Sequence, residues 1–159
     1  MAEQITITAQ SKEERYKELY PQVESVLYGE TDLIANMANM TAMLKEVFDF
    51  LWVGFYLIKG NELVLGPFQG PLACTRIKYG RGVCGTAWQE ETTQVVPDVN
   101  SFPGHIACSS SSKSEIVLPF YLNNVLAGVL DIDSDQLNTF DHTDKKWLES
   151  MVKFLDKKL

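Results

Sequence analysis

Cys108 stands in "FPGHIACSSSSKSEIVLPFY", residues 102–121, behind a Pro-Gly turn and ahead of four serines. A core cysteine sits among Ile, Val and Leu; this one belongs to a polar loop where its thiol can be reached. Two further cysteines stand at 74 and 84. No pair has C-x-x-C spacing, which argues against a zinc knuckle or a thioredoxin-like motif. His105 lies close to Cys108, so a Cys₃His site is conceivable, but the spacing matches none of the common zinc frameworks. A thiol nucleophile with one or two partner thiols explains the odd count more simply. An oxidised cysteine can condense with a neighbouring thiol to a disulfide that an external reductant reopens. The plainer alternative is buried, inert cysteines. It suits Cys84 best, beside Val83 and Ala87, and Cys108 worst.

Carboxylates form the second candidate group. Asp131 and Asp133 flank Ile132 at the end of "VLAGVLDID", so both point to one side of a strand. Glu115 opens the neighbouring strand. Three clustered carboxylates repel unless a cation or a hydrogen-bond donor sits among them. A ligand ammonium group would serve, as would a divalent metal, although the chain has only two histidines. Solvated strand ends are the alternative. In "LWVGFYLI", Trp52, Gly54 and Tyr56 share one face and Leu51, Val53, Phe55 and Leu57 the other. A glycine between two rings leaves a slot suited to a small apolar group; ordinary aromatic core is the competing reading. "GRGVCG", residues 80–85, matches G-x-G-x-x-G but does not clearly follow the first strand of a βαβ unit, so a dinucleotide site is not expected. A glycine loop entering a short helix fits better. Its N–H groups could hold an anion such as a carboxylate and depress the pKa of Cys84, unless it is a plain tight turn.

These groups need a scaffold. "SKEE" from Ser11 reads as a capping box, followed by Tyr16, Leu19, Tyr20, Val23 and Leu27 at helical spacing. Pro21 should kink or split that helix and Gly29 should end it. Thr31 is placed to cap a second helix with a stripe of Ile34, Met37, Thr41, Leu44 and Phe48, widened by Leu33, Met40 and Val47. Such a broad face calls for burial on two sides, against a sheet and perhaps against a partner helix; a homodimer is expected from it. Residues 51–58 and "ELVLGPF" read as a hairpin, residues 73–84 as strand and loop, and "TAWQEE" as a short helix starting near Gly85. "TQVVPDV" is a short strand ended by Pro97, and 102–114 a loop whose serine run reads as mobile. "EIVLPFYL" and "VLAGVLDID" form a second hairpin around Asn123–Asn124. Asp141 caps a last helix with Asp144 in its first turn; Trp147, Met151, Phe154 and Leu155 make its buried stripe, flanked by Leu148, Val152 and Leu159. Strands joined by tight turns give a mainly antiparallel sheet, so the class is α+β.

The 159 residues fit one domain, residues 1–159, with 45% hydrophobic and 22% charged residues, an ordinary globular balance. A net charge of −7 argues against nucleic acid or an anionic membrane surface as the main partner. No run approaches the ~18 apolar residues of a membrane span. The N-terminus lacks the pattern of a secretory signal, so a cytoplasmic protein with reduced thiols is expected.

With these residues in view, the chain resembles the free methionine-(R)-sulfoxide reductases, single-domain GAF proteins. The likeness runs from "YPQVESVLYGETDLIANMANMTAMLK" to "FDHTDKKWLESMVKFLDK" and is most specific in "WVGFYL", "GPFQGPLACTRIKYGRGVCGTAW", "VPDVNSFPGHIACSSSSKSEIVLPF" and "GVLDIDS". All three cysteines stand where that family has its three. The resemblance implies a GAF-like sheet with the N- and C-terminal helices on one face and a ligand pocket on the other. It implies that Cys108 attacks the sulfoxide and that Cys74 resolves the resulting sulfenic acid, with Cys84 a second candidate for that role. Glu115, Asp131 and Asp133 would hold the substrate and serve the proton transfers, and Trp52 and Tyr56 would line the pocket. It further implies thioredoxin as reductant and no metal or organic cofactor. The rival expectation is a non-catalytic GAF domain that senses a small ligand or redox state.

Overall fold

The computed structural model describes residues 4–156. Ser11 caps α1 (Lys12–Leu27), its hydroxyl accepting from the Glu14 N–H at 3.3 Å. Only half of the expected box forms there, because the Glu14 carboxylate turns to Lys17 at 2.8 Å. Pro21 lies inside α1 without splitting it. The side-chain amide of Gln22 donates to the Glu18 carbonyl at 2.8 Å and to the Thr6 carbonyl at 2.9 Å, tying this turn to the segment before the helix. Tyr28 is the C-cap, and Gly29 follows with φ +79°, so the chain leaves the helix where expected.

Asp32 caps α2 (Leu33–Phe48), accepting from Ala35 N–H at 2.9 Å; Thr31, the expected cap, stands one residue too early. The buried stripe is Met37, Met40, Thr41 and Leu44, broadened by Asn36 and Met43. Ile34, expected to lead it, is 53% exposed. The breadth of this face is used within the chain, against α1 and the sheet.

Strands β1 (Trp52–Lys59), β2 (Glu62–Gln69), β3 (Arg76–Lys78), β4 (Gln94–Val96), β5 (Ser114–Leu122) and β6 (Val125–Ser134) form one sheet in the order β3-β2-β1-β6-β5-β4. Every pairing is antiparallel, so the parallel unit a dinucleotide site requires is not formed by the described strands. The β5–β6 turn sits on Asn123 and Asn124, both at positive φ, as a two-residue hairpin demands.

α3 (Gly82–Glu90) begins three residues before the expected start. Gly85, read as the entry to the helix, lies inside it for a packing reason: a Cβ there would stand 2.6 Å from the Lys78 carbonyl oxygen. α4 (His142–Met151) has a complete capping box between Asp141 and Asp144, and a 3-10 turn, Val152–Leu155, continues it. Its buried residues are Leu148, Met151, Val152 and Leu155, with Trp147 and Phe154 only half-buried; Leu159 lies outside the described residues.

α1, α2 and α4 cover one face of the sheet. Val53 and Phe55 of β1, Ile116, Leu118 and Phe120 of β5, and Leu130 and Ile132 of β6 are fully buried against them. Each such side chain contributes about 1.5–3 kcal/mol. Asp144 is fully buried here with every partner it needs. It accepts from Tyr16 Oη at 2.8 Å, Lys12 Nζ at 2.6 Å and the Asp141 N–H at 2.9 Å, which locks α4 to α1.

Candidate active site

The opposite face carries the chemistry. Antiparallel register places Trp52, Asp133 and Glu115 in one cross-strand row, and Gly54, Asp131 and Val117 in the next. Alternation makes both rows point to the same face. α3 lies over that face and brings Cys84 down onto it. The loops carrying Cys74 and Cys108 form the rim. The cavity so enclosed is lined by Trp52, Tyr56, Cys84, Glu115, Asp131 and Asp133, with Arg81, His105, Cys108, Ser109 and Ser112 at its sides. It offers about 50 Å³ to the centres of water-sized atoms, several times what one water needs.

Gly54 does not leave an empty slot. The indole of Trp52 folds over it, and a side chain at Gly54 would collide with the six-membered ring of Trp52 and, at 2.6 Å, with Phe68 Cβ. The missing Cβ therefore lets the indole lie flat on the sheet, stacked with Phe68 at 5.3 Å and Tyr56 at 5.9 Å between centroids. Trp52 Nε1 donates to the Pro71 carbonyl at 3.1 Å, and Tyr56 Oη to the Cys74 carbonyl at 2.8 Å. Both aromatic residues thus brace the loop that holds Cys74.

Cys74 and Cys108 are joined in a disulfide, with Cα atoms 5.5 Å apart across 34 residues of sequence. Cys108 is exposed and Cys74 half-buried, so the bond lies at the rim. Cys84 is the free cysteine and is buried at the floor. This removes the Cys₃His arrangement, since two of its thiols are consumed. His105 does line the cavity, with a buried Nδ1 that finds no partner among the described residues, and burial lowers its pKa.

Cys84 is 4%, Glu115 5% and Asp131 7% exposed, and one ligand atom from each lies within 4.8 Å of the others. Burial and the nearby Asp131 and Glu115 push the Cys84 thiol well up, the reverse of the depression expected from the glycine loop. Burial and three carboxyls, Asp131, Glu115 and Asp133, outweigh the lowering a helix N-terminus can supply. Burial, then Asp131 and Asp133, raise Glu115 well above the carboxylate range; burial, then Asp133, do the same to Asp131. Asp133 rises to about 6 through burial, held back by Ser112, whose hydroxyl donates to Asp133 Oδ1 at 2.5 Å. Asp131 Oδ1 has no hydrogen-bond partner among the described residues.

Ser112 belongs to the serine run whose composition predicts mobility, and nothing in that run marks it as a site residue. It is buried and links the Cys108 loop to the acidic floor. A serine in a serine run carries no local signal of this kind, because its partner lies 21 residues away.

Residues 32–157 match the GAF domain family. The chain is 64% identical to GAF domain-containing protein A of Dictyostelium discoideum, over 98% of this chain and 99% of that one. It is 47% identical to the free methionine-R-sulfoxide reductase of Escherichia coli (strain K12), over 94% of this chain and 91% of that protein. Its fold superposes on the X-ray structure of free methionine-R-sulfoxide reductase from Neisseria meningitidis in complex with its substrate, with a TM-score of 0.94 and 53% identity over 96% and 93% of the two chains. A cysteine pair at the rim of a cavity floored by three carboxyls, on a sheet of this topology and with relatives at this identity, leads to one assignment: the chain belongs to the GAF domain family and, within it, to the free methionine-R-sulfoxide reductases.

Proposed function

We propose that this protein reduces free L-methionine (R)-sulfoxide to L-methionine through Cys108, Cys74 and an external dithiol protein such as thioredoxin. The observation that carries the reading is the Cys74–Cys108 disulfide at the rim of a cavity floored by Glu115, Asp131 and Asp133. It is the bond such a cycle must leave behind after one turnover.

Cys108 as thiolate attacks the sulfoxide sulfur. The S–O bond weakens, oxygen gains negative charge, and a protonated carboxyl must donate to it. Glu115 and Asp131 suit that task because burial and mutual crowding hold both well above the usual carboxylate range, toward the protonated form a donor needs. Oxygen transfers to Cys108 as a sulfenic acid and methionine leaves. The Cys74 thiol then displaces that oxygen as water and the disulfide forms. An incoming dithiol reopens it, becoming a disulfide itself. Asp133, with its pKa near 6, is the acid most ready to carry charge and to hold the substrate ammonium. Arg81, Gly82 and Val83 at the start of α3 line the same cavity, and a helix N-terminus there suits the substrate carboxylate. Trp52 and Tyr56 supply an apolar wall for the methyl end. Such a cavity favours the free amino acid, since a residue within a peptide lacks both charges.

Oxidation of NADPH, with thioredoxin, its reductase and racemic free methionine sulfoxide, tests the reading. Consumption should stop near half conversion with the S epimer left over. Binding without NADPH consumption would instead fit a ligand-sensing GAF domain, and consumption of both epimers would remove the stereochemical assignment. A homodimer would need a surface other than the buried face of α2; sedimentation equilibrium decides it. Among the described residues no helix is long and apolar enough to cross a membrane.

A further inference from the structure

The proposed reaction employs Cys108 and Cys74 and leaves the third thiol without a task. Cys84 nevertheless sits buried at the floor of the cavity, against Glu115 and Asp131. Their three ligand atoms are mutually within 4.8 Å. Two ligands on one tetrahedral zinc ion, with bonds of about 2.0–2.3 Å, stand roughly 3.3–3.8 Å apart. The difference is about 1 Å, the scale of a side-chain adjustment. A second observation points the same way: Asp131 Oδ1 is buried with no hydrogen-bond partner among the described residues. No lysine or arginine among those residues pairs with Glu115, Asp131 or Asp133. The floor therefore offers several potential ligand atoms, with no basic side chain of the described residues paired to them.

We propose that Cys84, Glu115 and Asp131 form a binding site for a thiophilic divalent cation of the Zn²⁺ class. One sulfur and two carboxylate oxygens suit Zn²⁺ or Cd²⁺. They do not suit Mg²⁺ or Ca²⁺, which require six or more oxygen ligands. Three protein ligands leave a fourth position open to the cavity, for water. Coordination requires the thiolate and the carboxylates, so binding displaces the protons these groups carry and is favoured by rising pH. The site stands on geometry alone. Its consequence, that metal and substrate exclude each other, rests on the proposed function, because both need the same carboxyls.

The oxidised protein gives a clean test, because with Cys74 and Cys108 bonded to each other Cys84 is its sole thiol. Full-length disulfide-form protein is titrated with Cd²⁺ while the ultraviolet thiolate-to-cadmium charge-transfer band is followed. The band should saturate at one equivalent, and Zn²⁺ should bleach it. Cys84→Ser should abolish the band and weaken Cd²⁺ binding at least tenfold. Asp131→Asn should keep the thiol but weaken binding at least tenfold, and it carries the test if the Cys84 variant fails to fold. Absence of the band in the wild-type protein, or binding that Asp131→Asn leaves unchanged, overturns the site. No arm uses turnover, so a negative result leaves the reductase reading intact.

Discussion

Asp144 and Asp131 are both buried, at 0% and 7% exposure, on opposite faces of the same sheet. Asp144 is surrounded by Lys12, Tyr16 and a backbone N–H, each within hydrogen-bond distance. Asp131 faces two more carboxyls and a thiol, and one of its oxygens has no partner among the described residues. A buried acid with a full set of partners stabilises the fold. A buried acid without them costs stability and persists where a ligand completes it. The helix face is thus closed chemistry and the cavity face is open chemistry, within one sheet.

The comparison can be broken most sharply at the cavity rim. Cys108→Ser should abolish thioredoxin-coupled turnover, while Cys74→Ser should allow one equivalent of methionine to form and then stall. Retained activity in the first removes Cys108 as nucleophile; sustained recycling in the second passes the resolving step to Cys84 or to direct reduction of the sulfenic acid by thioredoxin.

Next come the two aspartates themselves. Asp131→Asn should lower kcat/KM by about 10²–10⁴ and leave thermal stability unchanged or raised. Asp144→Asn should do the reverse, costing about 1–3 kcal/mol while the folded protein keeps its kcat. Denaturant melts beside steady-state kinetics read both. Equal stability losses in the two variants would dissolve the distinction.

A smaller effect is the pH dependence of stability. Asp133 in the folded chain titrates at about 6, against an ordinary value of 3.8. Between these values the unfolded chain has already lost the proton that the folded chain keeps. Rising pH therefore favours unfolding in that window, and the stability present below the ordinary value is lost as pH passes through about 6. Ligand-free wild type should gain on the order of 1–3 kcal/mol between pH 6 and 4 relative to Asp133→Asn. A flat difference between their melting curves would argue that Asp133 is not held protonated. Paired carboxylates elsewhere, such as Glu13 and Asp141, are shifted down and lose their contribution only at lower pH.

The smallest expected change is at Ser112. Removing its hydroxyl deprives Asp133 of a donor, so Ser112→Ala should raise KM by about three- to tenfold and move its pH profile to higher pH. Ser112→Thr should restore most of both. A change in kcat alone would assign Ser112 to the cysteine loop instead of the acid.

The local framework was largely legible. Helical spacing from Tyr16 to Leu27 and from Ile34 to Phe48, alternation in 51–58 and the Asn123–Asn124 turn each act within a few residues, and an element of the expected type formed at each. Errors fell where packing competed with local signals. Gly85 proved to be a close-approach glycine, and Ile34 turned outward while Asn36 turned in. The shared faces of Trp52 with Tyr56 and of Asp131 with Asp133 followed from alternation alone. What filled the space above Gly54 did not, because that depended on the rotamer of Trp52 and on Phe68 across the strand pair.

Sequence by itself determined which side chains share a face, where the strands turn and which cysteine lies in a polar loop, since all of these depend on residues near one another in the chain. Only the tertiary structure decided that Cys74 bonds Cys108 across 34 residues, that Ser112 reaches Asp133 and that Cys84 is pushed up in pKa rather than down. Those outcomes are set by burial and by charges that meet only when β1, β5, β6 and α3 close on one cavity. Neither burial nor such a meeting has a counterpart in the linear order of residues.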